Sequence, residues 1–179
     1  NVASSFFSAK FQRNIEEMLV SPVPTWAIIL GYVGGGMARA MIVAVIVTFV
    51  SFMFVDISIA HIGYVILTVV LTSTLFALGG LLNGVFGKTF DDISIVPTFV
   101  LTPLTYLGGV FYSISLLPDF WQDVSKLNPI LYMVNTFRYG VLGVTDINVY
   151  VAFGMLVLFI LILGSYSIWL LRRGTGMRQ

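Results

Sequence analysis

The stretch IGYVILTVVLTSTLFALGGLLNGVF at positions 62–86 decides the fold class, because it contains no charged side chain. A helix needs about 20 mostly apolar residues to cross the hydrocarbon core of a bilayer. We therefore predict a membrane-spanning helix here. Its Gly80-x-x-x-Gly84 spacing places two small residues on one helix face, where another helix can approach closely.

The composition agrees with a membrane protein. Of the 179 residues, 58% are hydrophobic and 9% are charged, against roughly 45–50% and about 25% in soluble domains. One soluble core of this size cannot bury so much apolar surface. The chain is therefore predicted to be an all-α integral membrane protein. A formal net charge of +1, without a basic run, excludes nucleic acid as an expected partner.

Three further apolar stretches have the length of a membrane span. They cover positions 38–55, 93–111 and 149–171, and residues 26–36 can extend the first of them backwards. The expected architecture is a helical bundle with four full spans. Pro97 and Pro103 should kink the third span without abolishing it, since membrane helices tolerate proline.

The positive charges predict an orientation, because cytoplasmic loops are enriched in Lys and Arg. If residues 10–24 are cytoplasmic, both ends of this chain face the cytoplasm. The cations on the outer side are then only Lys126 and Arg138. The cytoplasmic side holds the larger set: Lys10, Arg13, Lys88, Arg172, Arg173 and Arg178.

Residues 112–148 form a long outer connection in which two short helices are expected, each beginning near a proline, Pro118 or Pro129. Gly140 and Gly143 are the expected stops. Both helices are too short to cross the bilayer, so they should dip into the outer leaflet or lie in it. Arg138 on the second helix has three open roles: contacting lipid headgroups, capping a helix or touching an anionic substrate.

The charged segment at 10–24 predicts a short amphipathic helix that ends at Ser21-Pro22-Val23-Pro24. Ile15, Met18 and Leu19 share one face. A helix resting on the inner leaflet is one interpretation. Glu16 and Glu17 favour a protein partner instead, because an anionic membrane surface attracts cations.

The chain lacks the residues that several classes of enzyme need for catalysis. There is no cysteine, and the single histidine cannot build a zinc site. Gly87-Lys88-Thr89 resembles the end of a phosphate-binding loop, but leucine stands where that loop needs its first glycine. We favour a helix that ends at Gly87, followed by a capping box from Thr89 to Asp92. A catalytic pair of Asp91 and Asp92 is the weaker alternative.

Other polar and small residues leave alternatives open. Arg39 lies near the start of the predicted first span, where snorkelling to the interface is favoured over a functional intramembrane charge. Asp56 and His61 bracket an outer turn and are expected to be solvated. The spacings Gly31-x-x-x-Gly35 and Ala40-x-x-x-Ala44 suit close helix packing, for example in a homodimer.

Several motifs together resemble the permeases of the ABC-2 type transporter family. The resemblance spans nearly the whole chain. Its strongest parts are FQRNIEEML at 11–19, NGVFGKTFDD at 83–92, PTFVLTPL at 97–104 and YLGGVFY at 106–112. Leu117-Pro118, Trp121, Leu127-Asn128-Pro129 and FRYG at 137–140 complete it.

The resemblance implies a dimeric permease with six spans, of which this chain would be the C-terminal part of one transmembrane domain at 1–179. The N-terminal part is expected to be missing. A coupling segment at 10–24 would dock on a separate ATPase subunit, which would bind ATP and Mg. The expected coupling-helix residues are Arg13, Asn14, Ile15, Glu16, Glu17, Met18 and Leu19. The re-entrant segment at 112–148 would be marked by Pro118, Trp121, Pro129 and Arg138.

The expected function is thus the permease of an ATP-driven exporter in a bacterial inner membrane. The chain itself is expected to carry no catalytic residue and no metal. An ion-coupled transporter working alone is the alternative, but it needs ionisable residues at the centres of spans, and the four predicted centres hold none. An intramembrane enzyme lacks a visible acid–base or metal constellation. The transported substrate stays open.

Overall fold

The computed structural model describes residues 2–12, 23–55 and 59–173. Every regular element within these ranges is helical, in agreement with the all-α prediction. The elements are α1 (Val2–Phe11), α2 (Thr25–Phe54), α3 (Ile62–Phe86), α4 (Phe90–Ile95), a π-helix (Val96–Leu101), α5 (Thr102–Leu107), a 3₁₀ turn (Ile114–Leu116), α6 (Asp119–Lys126), α7 (Pro129–Leu142) and α8 (Val149–Arg173).

The central element is α3, which contacts α1, α2, α7 and α8. Its bounds match the apolar stretch 62–86. In the described part of the chain, α2, α3 and α8 are the three helices long and apolar enough to cross a membrane. The predicted first and fourth spans correspond to α2 and α8, so three of the four predicted spans have helices of the expected length.

The predicted third span is a continuous helical run, but it changes type along its length. It passes from α4 through a six-residue π-helix into α5 and ends at Leu107, with Gly108 as its C-cap, earlier than the predicted 111. Pro97 and Pro103 lie within this run and donate no backbone hydrogen bond. The expected kink therefore takes the form of a wider helical turn, in which Thr102 Oγ1 donates to the Pro97 carbonyl at 3.3 Å.

Two hydrophobic clusters hold the bundle together at its two ends. At the end we call inner, the cluster joins α1, α2, α3 and α8, with Phe6, Leu81 and Leu170 among its buried members. Towards the opposite, outer end, Leu75 near the middle of α3 packs with residues of α7 and α8, including Ile130 and Leu156. Thus α3 and α8 contribute to both clusters, whereas α7 belongs only to the outer one.

The helix α2 is longer than the predicted first span, and this changes the position of Arg39. It begins at Thr25, so Arg39 lies near the middle of a 30-residue helix, about 21 Å from its start at 1.5 Å per residue. Met37 accepts a hydrogen bond from Thr74, near the middle of α3, at 3.3 Å. The helix thus includes the possible extension at 26–36, and the snorkelling of Arg39 stays a prediction.

The small-residue spacings differ in what they pack against. A Cβ at Gly84 would lie 2.9 Å from the Ala3 carbonyl oxygen, and one at Gly80 would lie 3.4 Å from the Ala3 nitrogen. This spacing therefore serves the contact between α3 and α1. An added Cβ at Gly31 or Gly35 meets nothing within 4 Å among the described residues, so a packing role for that pair stays a prediction.

Candidate functional site

Lys10 links the end of α1 to the inner end of α3. Its buried ammonium group donates to the carbonyl oxygens of Val85 and Gly87, both at 3.0 Å. These carbonyls belong to the last turn of α3 and its C-cap, where helix carbonyls lack partners within the helix. Burial lowers the pKa of Lys10, and the nearby charge of Lys88 lowers it further.

The residues expected to form the coupling helix follow directly after this contact. Arg13, Asn14, Ile15, Glu16, Glu17, Met18 and Leu19 lie outside the described residues, so their placement stays a prediction. Lys10 before them and Pro24, the N-cap of α2, after them are both described. The predicted segment is therefore flanked by α1, which is anchored to α3, and by α2.

Among the described residues, four cations lie at the inner end of the bundle. Lys10 and Lys88 are at the end of α3, and Arg172 and Arg173 form the last turn of α8. Leu170 and Leu171 just before them pack in the same cluster as Val85 of α3. The outer cations Lys126 and Arg138 lie at the opposite end, in α6 and α7. This segregation matches the pattern of charges from which the orientation was predicted.

The capping box predicted at Thr89 is present. Thr89 Oγ1 accepts from the Asp92 backbone N–H at 3.1 Å, and Asp92 Oδ2 accepts from the backbone N–H groups of Lys88 and Thr89 at 2.9 and 3.0 Å. These backbone hydrogen bonds hold the pKa of Asp92 below its usual value. The geometry favours the capping role over a carboxylate pair, and α3 ends at Phe86 with Gly87 as its C-cap.

The two short outer helices begin where the prolines predict. Pro118 is the N-cap of α6, and Pro129 occupies the first position of α7, after the Asn128 cap. Trp121 on α6 is 44% exposed and lies edge-to-face with Phe120. Ser125 is the one buried residue of α6, whereas half of the residues of α7 are buried against its neighbours.

The two predicted stops of α7 have different roles. Gly143 ends the helix in a left-handed conformation with φ of 73°, as glycine does at this position. Gly140 lies inside α7, where an added Cβ would come within 2.7 Å of Val65 Cγ2 and 3.0 Å of Val65 N. The prediction that Gly140 ends the helix was wrong, because the helix continues to Leu142. Instead, the missing side chain of Gly140 lets α7 approach α3 closely.

Arg138 joins three parts of the outer end. Its guanidinium group donates to Asp146 Oδ2 at 2.9 Å, in the connection between α7 and α8, and to the Gly109 carbonyl at 2.8 Å. Gly109 follows the end of α5 in a left-handed conformation with φ of 73°. Of the three open roles for Arg138, the described contacts fit the capping of a helix end best.

Two buried asparagines, the N-cap Asn128 and Asn135 inside α7, make contacts with other parts of the outer end that were not predicted. Asn128 donates to the Leu104 carbonyl of α5 at 2.6 Å, while its Oδ1 caps Ile130 at 3.0 Å. Asn135 Oδ1 accepts from the Asp146 backbone N–H at 2.9 Å and from Thr145 Oγ1 at 3.2 Å. For Asn135, the available signal was an amide inside a largely apolar helix, because a buried polar group needs a partner.

A cleft runs along one face of α3. It consists of two cavities of about 760 and 430 Å³ that share Thr72 and Ser73 in their walls. The inner cavity extends to Asn83 and to Pro97 of the π-helix. We call the larger one the outer cavity. Residues of its wall include Thr68, Thr72 and Ser73 from α3, Phe137 and Arg138 from α7, and Val110.

Two buried hydroxyl groups, on residues of α3 that line the outer cavity, have no partner among the described residues. The buried Oγ1 atoms of Thr68 and Thr72 make no hydrogen bond to any described residue. By contrast, Ser73 and Thr74 donate to the carbonyls four residues earlier, at 2.6 and 2.8 Å. A buried hydroxyl left unpaired costs about 1–3 kcal/mol. Both oxygen atoms are buried from solvent, so in this conformation a molecule in the outer cavity does not reach them.

The remaining polar candidates are placed as follows. Arg39 is exposed on α2 and lines a small cavity with Ser5 and Tyr32. His61, expected to be solvated, is exposed, but its ring also stacks on Tyr139 with the centroids 5.0 Å apart. Asp56 lies outside the described residues. Among the residues that the structure covers, no group of three or more His, Cys, Asp and Glu side chains could hold a metal ion.

Comparison with known proteins gives a consistent result. The family described as ABC-2 type transporter matches residues 1–142. The chain is 62% identical over 179 residues to the inner membrane transport permease YadH of Escherichia coli (strain K12), covering 100% of this chain and 70% of that protein. It is 23% identical over 172 residues to nodulation protein J of Rhizobium leguminosarum bv. viciae, covering 96% of this chain and 66% of that one. No solved structure gives a significant match.

Proposed function

This chain belongs to the ABC-2 type transporter family, and on that premise we propose that it lines the transport pathway of an ATP-driven exporter. Family membership makes it a membrane transport subunit. In the proposal, ATP and Mg bind to a separate ABC ATPase subunit, and this chain carries no catalytic residue. The observation that carries the proposal is the family match, which covers most of the chain including the predicted coupling segment.

The proposed location is a bacterial inner membrane, with both ends of this chain in the cytoplasm. Two observations support it: the inner-membrane relative, and the segregation of Lys10, Lys88, Arg172 and Arg173 at one end of the bundle. The predicted coupling segment 10–24 begins at that same end. A partner docked there would sit on the cytoplasmic side, where ATP is available.

The contact of Lys10 with α3 supports a route for mechanical coupling. A force applied to the coupling segment reaches α1 through the chain, and it reaches α3 through the hydrogen bonds of Lys10 to Val85 and Gly87. At the other end of the segment, the force would reach α2 through its N-cap, Pro24. Since α3 contacts four other helices, a shift of its inner end would be passed to most of the bundle. A homodimer of this permease is part of the proposal.

The test is co-purification of the full-length permease with its ATPase subunit. Replacing Ile15, Glu16 and Glu17 together by Ala, Gln and Gln should abolish co-purification and ATP-dependent transport, while the permease still folds. The matched control replaces Phe120, Asp119 and Asp123 of α6, which carry the same chemistry at the outer end. Unchanged co-purification in the first variant would show that the coupling residues are assigned wrongly.

A second candidate is a transporter that works without ATP. The observation in its favour is the position of Arg39 near the middle of α2, since ionisable residues at such positions mark ion or substrate routes in membrane proteins. Transport by purified permease in vesicles without an ATPase or ATP distinguishes the two. Substrate movement under those conditions supports the second candidate, and its absence supports the first.

A further inference from the structure

The third span, which runs from α4 through the π-helix to α5, has two halves that pack against different neighbours. In the inner half, α4, the buried Ile93 forms a small cluster with Ala3 and Phe7 of α1. The outer half, α5, packs on α7, since a Cβ added at its C-cap Gly108 would come within 2.6 Å of Ile130 Cγ2. The π-helix between the two halves contains no buried residue. The halves are therefore attached to different parts of the bundle.

Pro97 leaves one backbone carbonyl of this span without its helical donor. In an α-helix, the Ile93 carbonyl would accept from the N–H of the residue four positions later. That residue is Pro97, which has no N–H. The side chain of Asn83 on α3 supplies the missing donor, because its Nδ2 donates to the Ile93 carbonyl oxygen at 2.9 Å. The carbonyl freed by the proline is thus satisfied from another helix.

A second asparagine holds the outer half in the same way. The Leu104 carbonyl accepts from Nδ2 of Asn128, the N-cap of α7, at 2.6 Å. Gly108, four positions after Leu104, donates its backbone N–H to the Thr105 carbonyl instead. Asparagine side chains from α3 and from the start of α7 therefore hold the backbone of the third span on both sides of the π-helix.

Asn83 also belongs to the end of α3 that Lys10 holds. Lys10 donates to the carbonyl oxygens of Val85 and Gly87, and the Gly87 N–H donates to the Asn83 carbonyl at 2.9 Å. A displacement of this turn therefore reaches the backbone of Ile93 through the Asn83 side chain.

The inner cavity gives the third span room to bend. Pro97 and Leu101 of the π-helix line this space of about 430 Å³ together with Thr72 of α3. Prolines and π-helical turns are the usual sites of helix kinks. A change of bend is therefore expected at the π-helix, between the two held halves.

We propose that Asn83 is a positioning residue for transport. It holds the inner half of the third span on the end of α3, so that a displacement of that end changes the bend of the span at the π-helix. The inference rests on the proposed function in one respect, which is that the ATPase subunit supplies the displacement. The placement of the inner half by Asn83 does not depend on that step.

The first test measures the position of the inner half without nucleotide. Nitroxide labels are attached to cysteines at Ser94 and Leu158, which are exposed on α4 and α8, in the full-length permease in nanodiscs. The labelled chain is co-expressed with an excess of cysteine-free chain, so that each assembly carries at most one labelled copy. Asn83→Leu should widen the distance distribution between the two labels, because it removes the amide donor and keeps the side-chain size. A second pair, Tyr106 and Leu158, reports on the outer half and should be unchanged.

The decisive variant combines Asn83→Leu with Pro97→Ala, because position 97 then has an N–H for the Ile93 carbonyl. Asn83→Leu alone should lower the melting temperature by about 2–10 °C, and in the Pro97→Ala background it should lower it much less. The distance distribution at Ser94 should nevertheless stay wide in the combined variant, since the link to α3 is still missing. This variant carries the test even where Asn83→Leu alone does not fold.

Asn128→Asp is the matched control. It removes the donor to the Leu104 carbonyl but keeps the side-chain oxygen that caps the Ile130 N–H. It should widen the distribution of the pair Tyr106 and Leu158 and leave that of Ser94 and Leu158 unchanged.

The second test adds the ATPase subunit. Trapping with ADP and vanadate should shift the distance between Ser94 and Leu158 in the permease with Asn83. Asn83→Leu with Pro97→Ala should lose this shift while co-purification and ATP hydrolysis persist. Failure of the unaltered permease to co-purify would contradict the proposed function, and the nucleotide-free measurement would still decide the role of Asn83.

Three results would overturn the inference. One is an unchanged distribution at Ser94 in the Asn83→Leu variants. Another is a return to the narrow distribution on adding Pro97→Ala, which would show that Asn83 only satisfies a carbonyl. The third is the absence of any nucleotide-dependent shift at Ser94 while the bound ATPase hydrolyses ATP.

Discussion

The ammonium group of Lys10 lies 3.0 Å from the carbonyl oxygen of Gly87, 77 positions away in the chain. This contact closes the inner end of α3 with a side chain from α1. Helix C-termini attract cations, because their last carbonyls are unpaired and carry partial negative charge. The contact therefore fixes α3 to the element that leads into the predicted coupling segment.

Replacing Lys10 by Met should lower the free energy of unfolding by about 1.5–3 kcal/mol, the usual range for a hydrogen bond to a charged group. Lys10→Arg keeps a cationic donor and serves as the control. Thermal unfolding of the purified protein in detergent measures both. Equal stability of Lys10→Met and the parent protein would mean that these hydrogen bonds do not hold the end of α3.

The capping box predicts a dependence of stability on pH. Because the folded-state pKa of Asp92 is lowered, its contribution is complete above the unfolded value of about 3.9 and is lost as pH falls through the lower folded value. Asp92→Asn should therefore reduce the loss of melting temperature on acidification below about pH 4. Asp91→Asn removes the same charge outside the box and should leave that loss unchanged. An identical acid profile for Asp92→Asn and the parent protein would contradict the prediction.

Gly140 tests the close approach of α7 to α3. Gly140→Ala should destabilise the protein by about 1–3 kcal/mol through overpacking, since the added Cβ would lie 3.0 Å from the backbone nitrogen of Val65. Gly63→Ala, in the first turn of α3, is the control because an added Cβ there meets nothing within 4 Å. Thermal unfolding should show a loss for the first variant only. Equal effects would indicate that α7 can move away at little cost.

The ion pair between Arg138 and Asp146 can be tested by a double-mutant cycle. With side chains that are 22% and 27% exposed, the coupling energy between Arg138→Gln and Asp146→Asn should be about 1 kcal/mol. Arg138→Gln should be the more harmful single change, because it also breaks the hydrogen bond to Gly109. Strictly additive effects on unfolding would show that the pair contributes nothing. The pair Lys126 and Asp123, with both side chains exposed, should give a smaller coupling.

Local signals in the sequence predicted much of the secondary structure. The bounds of α3, the capping box at Thr89 and the helix starts at Pro118 and Pro129 follow from hydropathy and from hydrogen bonding within a few residues. The start of α2 was less certain, because apolar glycine-rich residues before position 38 fit either a helix or a loop. Because the helix begins at Thr25 and not at position 38, Arg39 lies near its middle and not near one end.

The sequence by itself thus determined the membrane environment, the helical class and the segregation of charge, since these depend on the solvent that each stretch prefers and on neighbours along the chain. Only the tertiary structure decided which distant groups meet. Lys10 reaches Gly87, Arg138 reaches Gly109, and Gly140 packs on Val65 because whole helices must pack together. The tertiary structure also decided that the hydroxyl groups of Thr68 and Thr72 are buried without a partner among the described residues, because their burial depends on every helix that surrounds them.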